Sequence, residues 1–284
     1  MAAAMRFFLM MVIFFVAFST PQAAAGDSRS RSVSIRTKPG EFIGVRASLN
    51  IWNLSLTADA QYSTSSLKIY QGFGIPGSKL SVIEAGLMVN RKTYSDNEPR
   101  LFVRWSTKHG GHDNGCLNFE CQGFVQFSRY ILVGEVRSNS SVFRGNQESI
   151  TVLISLLTDG NWWLDVGNEP VGYWPGSLFN NEMKYGNVVE WGGAAVINGD
   201  FIDDKATFPP MGSGHFPSEG EFKVAAYMKQ LQVLNRDGQY EDAPSGDGVV
   251  ITNEAPTCYG LKDHGNDDGS SGRHFYFGGP GGKC

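Results

Sequence analysis

Residues 80–90 read Leu-Ser-Val-Ile-Glu-Ala-Gly-Leu-Met-Val-Asn, a mostly apolar stretch with the length of a β-strand. Successive strand side chains point to opposite faces, so the apolar odd positions 83–89 share one face, and Glu84 shares the other with Gly86 and Met88. A carboxylate in such a strand is costly to bury unpaired, and the neighbouring glycine leaves room for a ligand. A strand glutamate is most often salt-bridged or solvated, so the pattern alone makes Glu84 only a candidate.

Apolar stretches of this kind recur along the chain between turn signals rich in Gly, Pro, Asn and Asp. Regular alternation of short strands and turns is typical of an antiparallel sandwich or barrel and disfavours βαβ units. The pattern therefore predicts an all-β fold. Two short helices are possible, at 177–185 and 224–234.

The N-terminus has the pattern of a secretory signal. One positive charge precedes the apolar run Phe7–Phe18, and small residues end at Ala25, where we expect cleavage. The run is shorter than the ~20 residues that a membrane-spanning helix needs. We predict a signal peptide at 1–25, a flexible polar segment at 26–40 and one β-domain at 41–284, secreted to the apoplast or vacuole.

Composition narrows the class of protein. The hydrophobic fraction of 41% is enough for a core, and a net charge of −4 without basic runs argues against nucleic-acid binding. After signal cleavage we expect no membrane association, and we expect a monomer. Sequons at Asn53 and Asn139 predict glycosylated surface positions.

The chain has four cysteines, an even number that favours two disulfides in a secreted protein. Three pairings are possible, and local pairing is the simplest: Cys116 with Cys121, and Cys258 with Cys284. Their spacing lacks a second CxxC or paired histidines, which makes a zinc site a weak alternative.

Several catalytic motifs are absent, namely the Gly-x-Ser-x-Gly elbow, HExxH, the Walker loop and the EF-hand. We therefore expect no metal and no cofactor. A second candidate carboxylate is Glu219, which follows a Gly-rich stretch, and Glu221 competes with it. Segments 161–164 and 171–175 are dense in aromatic rings, and we expect about half of these rings in the sandwich core. The rest could line a groove for proline rings or sugars, since both stack on aromatic faces.

Longer motifs resemble one known family. In chain order they are IEAG (83–86), PRLF (99–102), CLNFECQGFVQ (116–126), NWWL (161–164), VGYWPGSLF (171–179), WGG (191–193), MGSGHF (211–216) and FYFGGPG (275–281). The chain resembles the neprosin family, plant secreted glutamic endopeptidases that prefer to cut after proline. The likeness extends from about residue 42 to 284.

The resemblance implies an antiparallel β-sandwich, jelly-roll-like, of two sheets with a substrate groove on one face. It implies a catalytic pair without metal, Glu84 and Glu219. Trp105, Tyr173 and Trp174 are the predicted substrate contacts, and the predicted substrate is a proline-containing peptide or protein. Two close carboxyls cannot both ionise easily, so one would act as base on water while the protonated one acts as acid.

The chain departs from the family pattern around Glu84. Leu87 and Met88 stand where the family has Trp-Gln, and Ser66 and Lys68 stand where it has Gln and Trp. These departures favour an alternative, a catalytically impaired member that binds peptides or cell-wall polymers. A glycoside hydrolase is a further alternative, since paired carboxylates and aromatic platforms also suit sugars.

Overall fold

A computed structural model describes residues 28–137, 139–198, 207–266 and 269–284. In chain order its strands are β1 (Arg29–Thr37), β2 (Gly44–Asn50), β3 (Gln61–Gln71), β4 (Leu80–Asn90), β5 (Arg100–His109), β6 (His112–Leu117), β7 (Val125–Gln126), β8 (Ser149–Leu156), β9 (Trp162–Val166), β10 (Glu169–Trp174), β11 (Val188–Ile197), β12 (Ala226–Leu234), β13 (Tyr240–Asp242), β14 (Val249–Asn253), β15 (Gly260–Asn266) and β16 (Arg273–Gly278). Helical structure in the described residues is limited to α1 (Arg91–Tyr94) and the short 3₁₀ turns Gly176–Phe179 and Gly246–Gly248.

The strands form two sheets, and every strand pairing in the described ranges is antiparallel. The seven-stranded sheet has the order β14-β1-β11-β3-β4-β5-β6. The nine-stranded sheet has the order β15-β16-β12-β2-β8-β9-β10-β7, with β13 paired to β12. The predicted all-β antiparallel sandwich is confirmed.

The hydrophobic core lies between the two sheets. Ile83 and Trp191 project into it from the seven-stranded sheet, and Ile154 and Trp162 project into it from the nine-stranded sheet; all four are fully buried. Because side chains alternate along a strand, the neighbours of Ile83 and Trp191 project from the opposite side. That side, the outward face of the seven-stranded sheet, carries Glu84.

The prediction of a flexible segment at 26–40 is wrong for Arg29–Thr37, which forms β1 between β11 and β14. Val33 and Ile35 alternate there with polar residues and are fully buried in the core. The strand pattern is short and lies within a polar stretch, and pairing with β11 and β14 also holds the strand in the sheet.

The helix considered at 224–234 is wrong as well, because Ala226–Leu234 forms β12. A register shift between Lys229 and Gln232 marks a β-bulge in this strand. The bulge lets Met228 and Leu231, three residues apart, both reach full burial. Apolar spacing of three is also the helical signal, which explains the wrong prediction. At 177–185 only a 3₁₀ turn forms, at its start.

Both predicted disulfides are present: Cys116–Cys121 joins the end of β6 to the chain that follows it, and Cys258–Cys284 lies at the C-terminus. The signal peptide predicted at 1–25 lies outside the described residues. Within the described ranges, no helix is long and apolar enough to cross a membrane.

Candidate active site

A row of charged side chains crosses the outward face of the seven-stranded sheet. From β1 to β5, the residues that the strand register aligns are Arg36, Glu190, Lys68, Glu84 and Arg104. We call these five residues the charged row. Its charges alternate in sign, so that each carboxylate lies between two cations on neighbouring strands, an arrangement that favours strand pairing.

Glu84 lies in the middle of β4 and is 4% exposed. Its Oε1 accepts a hydrogen bond from the Ser66 hydroxyl at 2.7 Å, and its Oε2 lies 3.6 Å from Nη1 of Arg104. The Arg104 side chain keeps 40% of its surface in solvent, so a bound ligand could reach its guanidinium. The Glu84 carboxylate is therefore held in a fixed position beside an accessible cation.

Glu190 is the other carboxylate of the charged row and is 6% exposed. It accepts hydrogen bonds from Lys68 Nζ at 2.8 Å and the Tyr70 hydroxyl at 3.2 Å, and Arg36 lies 3.5 Å away. Burial alone would raise the pKa of Glu190, but Lys68, Arg36 and the Tyr70 hydrogen bond together hold this pKa below its ordinary value.

Lys68 separates the two carboxylates. Burial opposes its charge, but the negative charges of Glu190 and Glu84 raise the pKa of Lys68 well above its ordinary value. The ammonium group is thus charged at any pH at which the protein is expected to work. Charge pairing, rather than a proton shared between carboxyls, is the state that this row favours.

Gly86 does not leave room for a ligand, contrary to the expectation from sequence. A Cβ at this position would lie 2.2 Å from the Ser65 carbonyl oxygen and 2.6 Å from Cα of Ser66. The glycine instead permits a close approach of β3 and β4. Met88 shares the face of Glu84 and is 1% exposed, whereas Leu87 packs into the core.

Glu219 lies in the chain between β11 and β12, in a pocket wall shared with residues 260–262 of β15, an edge strand of the other sheet. Its side chain is 46% exposed. Hydrogen bonds from His215 and from the Phe216 backbone lower its pKa. In the described part of the chain no hydrogen bond or ion pair joins Glu219 to Glu84. Glu221 is paired with Lys262 and His264.

None of the three aromatic residues predicted to contact substrate shares the face of Glu84. Trp174 is fully buried in the core, so the prediction that it contacts substrate is wrong. Trp105 follows Arg104 in β5 and therefore projects to the opposite side, where it packs against Phe179. Tyr173 lies on the other sheet, with its ring 4.9 Å from that of Trp163.

The two predicted glycosylation positions are both exposed and lie close together. Asn53 Oδ1 accepts a hydrogen bond from the hydroxyl of Ser140, the residue after Asn139, at 2.6 Å. Glycosylation at either position stays a prediction. Across the described ranges, no group of three or more His, Cys, Asp or Glu residues is arranged to hold a metal ion.

Sequence reasoning missed three members of the charged row, Glu190, Arg36 and Arg104. Glu190 stands in the apolar stretch Val188-Val-Glu-Trp191 and has the same signal that marked Glu84, a carboxylate inside a strand. Applied to every strand, that criterion would have found it. Arg36 and Arg104 carry no comparable signal, because only the strand register shows which cations face a given acid.

Comparison with known proteins gives one family match. A family model described as Neprosin matches residues 59–280, most of the chain. Among solved structures, scytalido-glutamic peptidase with a transition state analog inhibitor is 13% identical, with 88% of this chain and 98% of that chain covered and a TM-score of 0.47. SCP-B, a member of the Eqolisin family of peptidases in complex with the tripeptide Ala-Ile-His, is 13% identical at the same coverage with a TM-score of 0.40.

Proposed function

Because the chain belongs to the neprosin family, we propose that it is a secreted glutamic endopeptidase that cuts peptide bonds after proline. Family membership supports a peptidase. The observation that carries the finer proposal is the buried Glu84 carboxylate, fixed by Ser66 and flanked by Arg104 on the outward face of a sheet. The two disulfides are consistent with secretion.

In the proposed reaction, ionised Glu84 takes a proton from water as the water oxygen bonds to the scissile carbonyl carbon. The guanidinium of Arg104 stabilises the resulting oxyanion. A second, protonated carboxyl donates its proton to the leaving nitrogen as the C–N bond breaks. The family resemblance implies Glu219 as the second member of the pair, and we assign this acid role to it. Glu190 is the alternative on the charged row.

The rate of hydrolysis should depend on pH because the acid must be protonated to act. Both candidate acids have lowered pKa values. Burial raises the pKa of Glu190, but the charges of Lys68 and Arg36 lower it by more, and hydrogen bonds from His215 and Phe216 lower the pKa of Glu219. Either is protonated only below the ordinary glutamate pKa of about 4.3. We therefore expect hydrolysis to rise as pH falls below about 4 and to be weak at pH 7.

A second candidate function is peptide binding without cleavage. The observation that favours it is Lys68, whose ammonium separates Glu84 from Glu190 and bonds to Glu190 at 2.8 Å. A row of paired ions has no proton to share between carboxyls. In the described residues, no observation favours the glycoside hydrolase alternative.

The test is digestion of proline-rich peptides between pH 3 and pH 7, with products identified by mass spectrometry. Glu84→Gln, Glu190→Gln and Glu219→Gln proteins run beside the wild type, with Glu169→Gln, an exposed acid of β10, as control. We expect cleavage after proline at acidic pH, lost in Glu84→Gln and in one of the other two variants. Folded wild-type protein that binds these peptides and cleaves none of them would support the binding function instead.

A further inference from the structure

A second pocket lies at the β1 end of the charged row. It has a volume of about 380 Å³, and its walls come from the end of β1, the β3–β4 connection, the start of β11 and β14. Its apolar lining includes Phe73, Ile75 and Tyr185. Ile75 keeps 52% of its surface in water, so a ligand in the pocket could bury additional apolar area there.

The pocket is built before any ligand arrives. The Asn187 amide donates to the Phe73 carbonyl at 2.9 Å and accepts from the Phe73 N–H at 3.1 Å. The Gly40 N–H donates to the Asn187 carbonyl at 2.9 Å, and the Lys38 N–H donates to the Gly248 carbonyl at 3.1 Å. These bonds tie four segments at the pocket together, so binding would order little additional chain.

The charges at its rim leave one cation without an acidic partner in the described residues. Arg36 is occupied by Glu190 at 3.5 Å and by the Phe73 ring, whose centroid is 4.6 Å from its guanidinium carbon. Glu41 pairs with Arg236 at 3.1 Å. Lys38 is exposed and makes no ion pair among the described residues. An apolar pocket with a cationic rim fits a ligand that combines a large apolar group with an anion.

The pocket also continues the candidate active site. Arg36 and Glu84 belong to one row and are separated by three strand steps of about 4.8 Å each, roughly 14 Å in total. An extended peptide advances about 3.3 Å per residue, so roughly four residues cover this distance. A peptide lying across the sheet over Glu84 would therefore place a residue in the pocket.

We propose that this pocket binds the C-terminal residue of a peptide, with a large apolar side chain against Phe73, Ile75 and Tyr185 and the terminal carboxylate on Lys38. A C-terminal residue meets both requirements, since one residue carries the apolar group and the anion. The inference rests on the proposed function only in that the ligand is a peptide, and it holds whether or not the peptide is cut.

The experiment measures peptide binding calorimetrically at pH 6 with wild-type protein. The probes are a proline-containing hexapeptide ending in phenylalanine, as free acid and as C-terminal amide. The variants are Lys38→Gln and Ile75→Ser, with Lys108→Gln, an exposed lysine at the end of β5, as matched control. Inorganic phosphate is added as a competitor to separate peptide recognition from simple anion binding.

We expect the free acid to bind about tenfold more tightly than the amide, a preference lost in Lys38→Gln and kept in Lys108→Gln. Ile75→Ser should weaken both peptides, and millimolar phosphate should displace neither. Equal binding of acid and amide, displacement by phosphate, or a preference insensitive to Lys38→Gln would each overturn the proposal. Binding with this preference, by a protein that hydrolyses no proline-containing peptide at pH 3–4, would keep the inference and reject the peptidase.

Discussion

At the scale of single residues, Lys68 determines what the two carboxylates of the charged row can do. A buried carboxylate is tolerated only when it is paired and hydrogen-bonded. Lys68 at 2.8 Å is the shortest contact of Glu190, which Tyr70 and Arg36 also pair. Glu84 also has Ser66 and Arg104. Removing Lys68 would leave a buried acid on each side without the cation that separates them.

We expect Lys68→Met to lower the free energy of unfolding by about 3–5 kcal/mol at pH 7, because it breaks a buried ion pair from one side. Lys108→Met removes an exposed pair with Asp113, in which both side chains are 65% exposed, and should change stability by less than about 1 kcal/mol. Urea unfolding at pH 7 measures both. Equal effects of the two substitutions would contradict the role given to Lys68.

The stability difference between wild type and Lys68→Met should also depend on pH. The lowered pKa of Glu190 means that its contribution to stability is present above the unfolded-state value, about 4.3, and is lost as pH falls through the lower folded-state value. In Lys68→Met the main cause of that lowering is gone, and burial favours the neutral acid. The difference in stability between wild type and variant should therefore narrow from pH 7 to pH 3. Urea unfolding across that range measures it, and a constant difference would count against the ion pair.

Ser66 offers a milder change at the same site. Ser66→Ala removes the hydroxyl that donates to Glu84 at 2.7 Å and leaves one oxygen of a buried carboxylate without that donor. We expect a loss of about 1–3 kcal/mol in stability and a fall in kcat rather than a rise in KM, because the base is less well oriented. Peptide hydrolysis at pH 3–4 and urea unfolding test this, with Ser63→Ala on the core-facing side of β3 as control. Matching kinetic effects in both variants would contradict a role at the site.

At the scale of elements, β1 is the strand that sequence reasoning missed, and it makes a matched comparison possible. Ile35 in β1 lies directly opposite Ile251 in β14. Ile35 is fully buried, whereas Ile251 is 52% exposed on an edge strand. The same residue type thus occupies two environments at one register position.

We expect Ile35→Ala to lower stability by about 2–5 kcal/mol, through lost burial and the cavity left behind. Ile251→Ala should cost less than about 1 kcal/mol, because most of its surface already contacts water. Urea unfolding of the two variants is the measurement. Similar losses of stability in the two variants would mean that Ile35 of β1 is not packed in the core in solution.

Strands could be predicted individually, but their alignment could not. The stretch 80–90 matches β4 at both ends, since turn residues bound a clear apolar run. The bulge in β12 and the polar surroundings of β1 hid two other strands. The charged row depends on the register of five strands, which is set by long-range packing that no single segment records. For this reason the sequence indicates Glu84 but not Glu190, Arg36 or Arg104.

At the scale of the whole molecule, the two disulfides constrain very different lengths of chain. Cys116–Cys121 has a sequence separation of 5, and Cys258–Cys284 a separation of 26. The longer loop contains β15 and β16, which pair with each other, and β16 also pairs with β12 in the nine-stranded sheet. Its terminal residue also approaches β1, where Arg31 donates to the Cys284 carbonyl at 3.4 Å.

Because a longer closed loop restrains the unfolded chain more, the protein should lose unequal amounts of folding stability when each of the two bridges is replaced by two alanines. Closing about 27 residues restrains the unfolded chain by roughly 3.5 kcal/mol, and closing about six by roughly 2 kcal/mol. We therefore expect the Cys258→Ala/Cys284→Ala protein to unfold at clearly lower urea than the Cys116→Ala/Cys121→Ala protein, with wild type as reference. Each double variant removes both thiols, so no free cysteine complicates the comparison. If the short bridge proved the more important, native-state packing around it, rather than chain entropy, would be the source of its stabilisation.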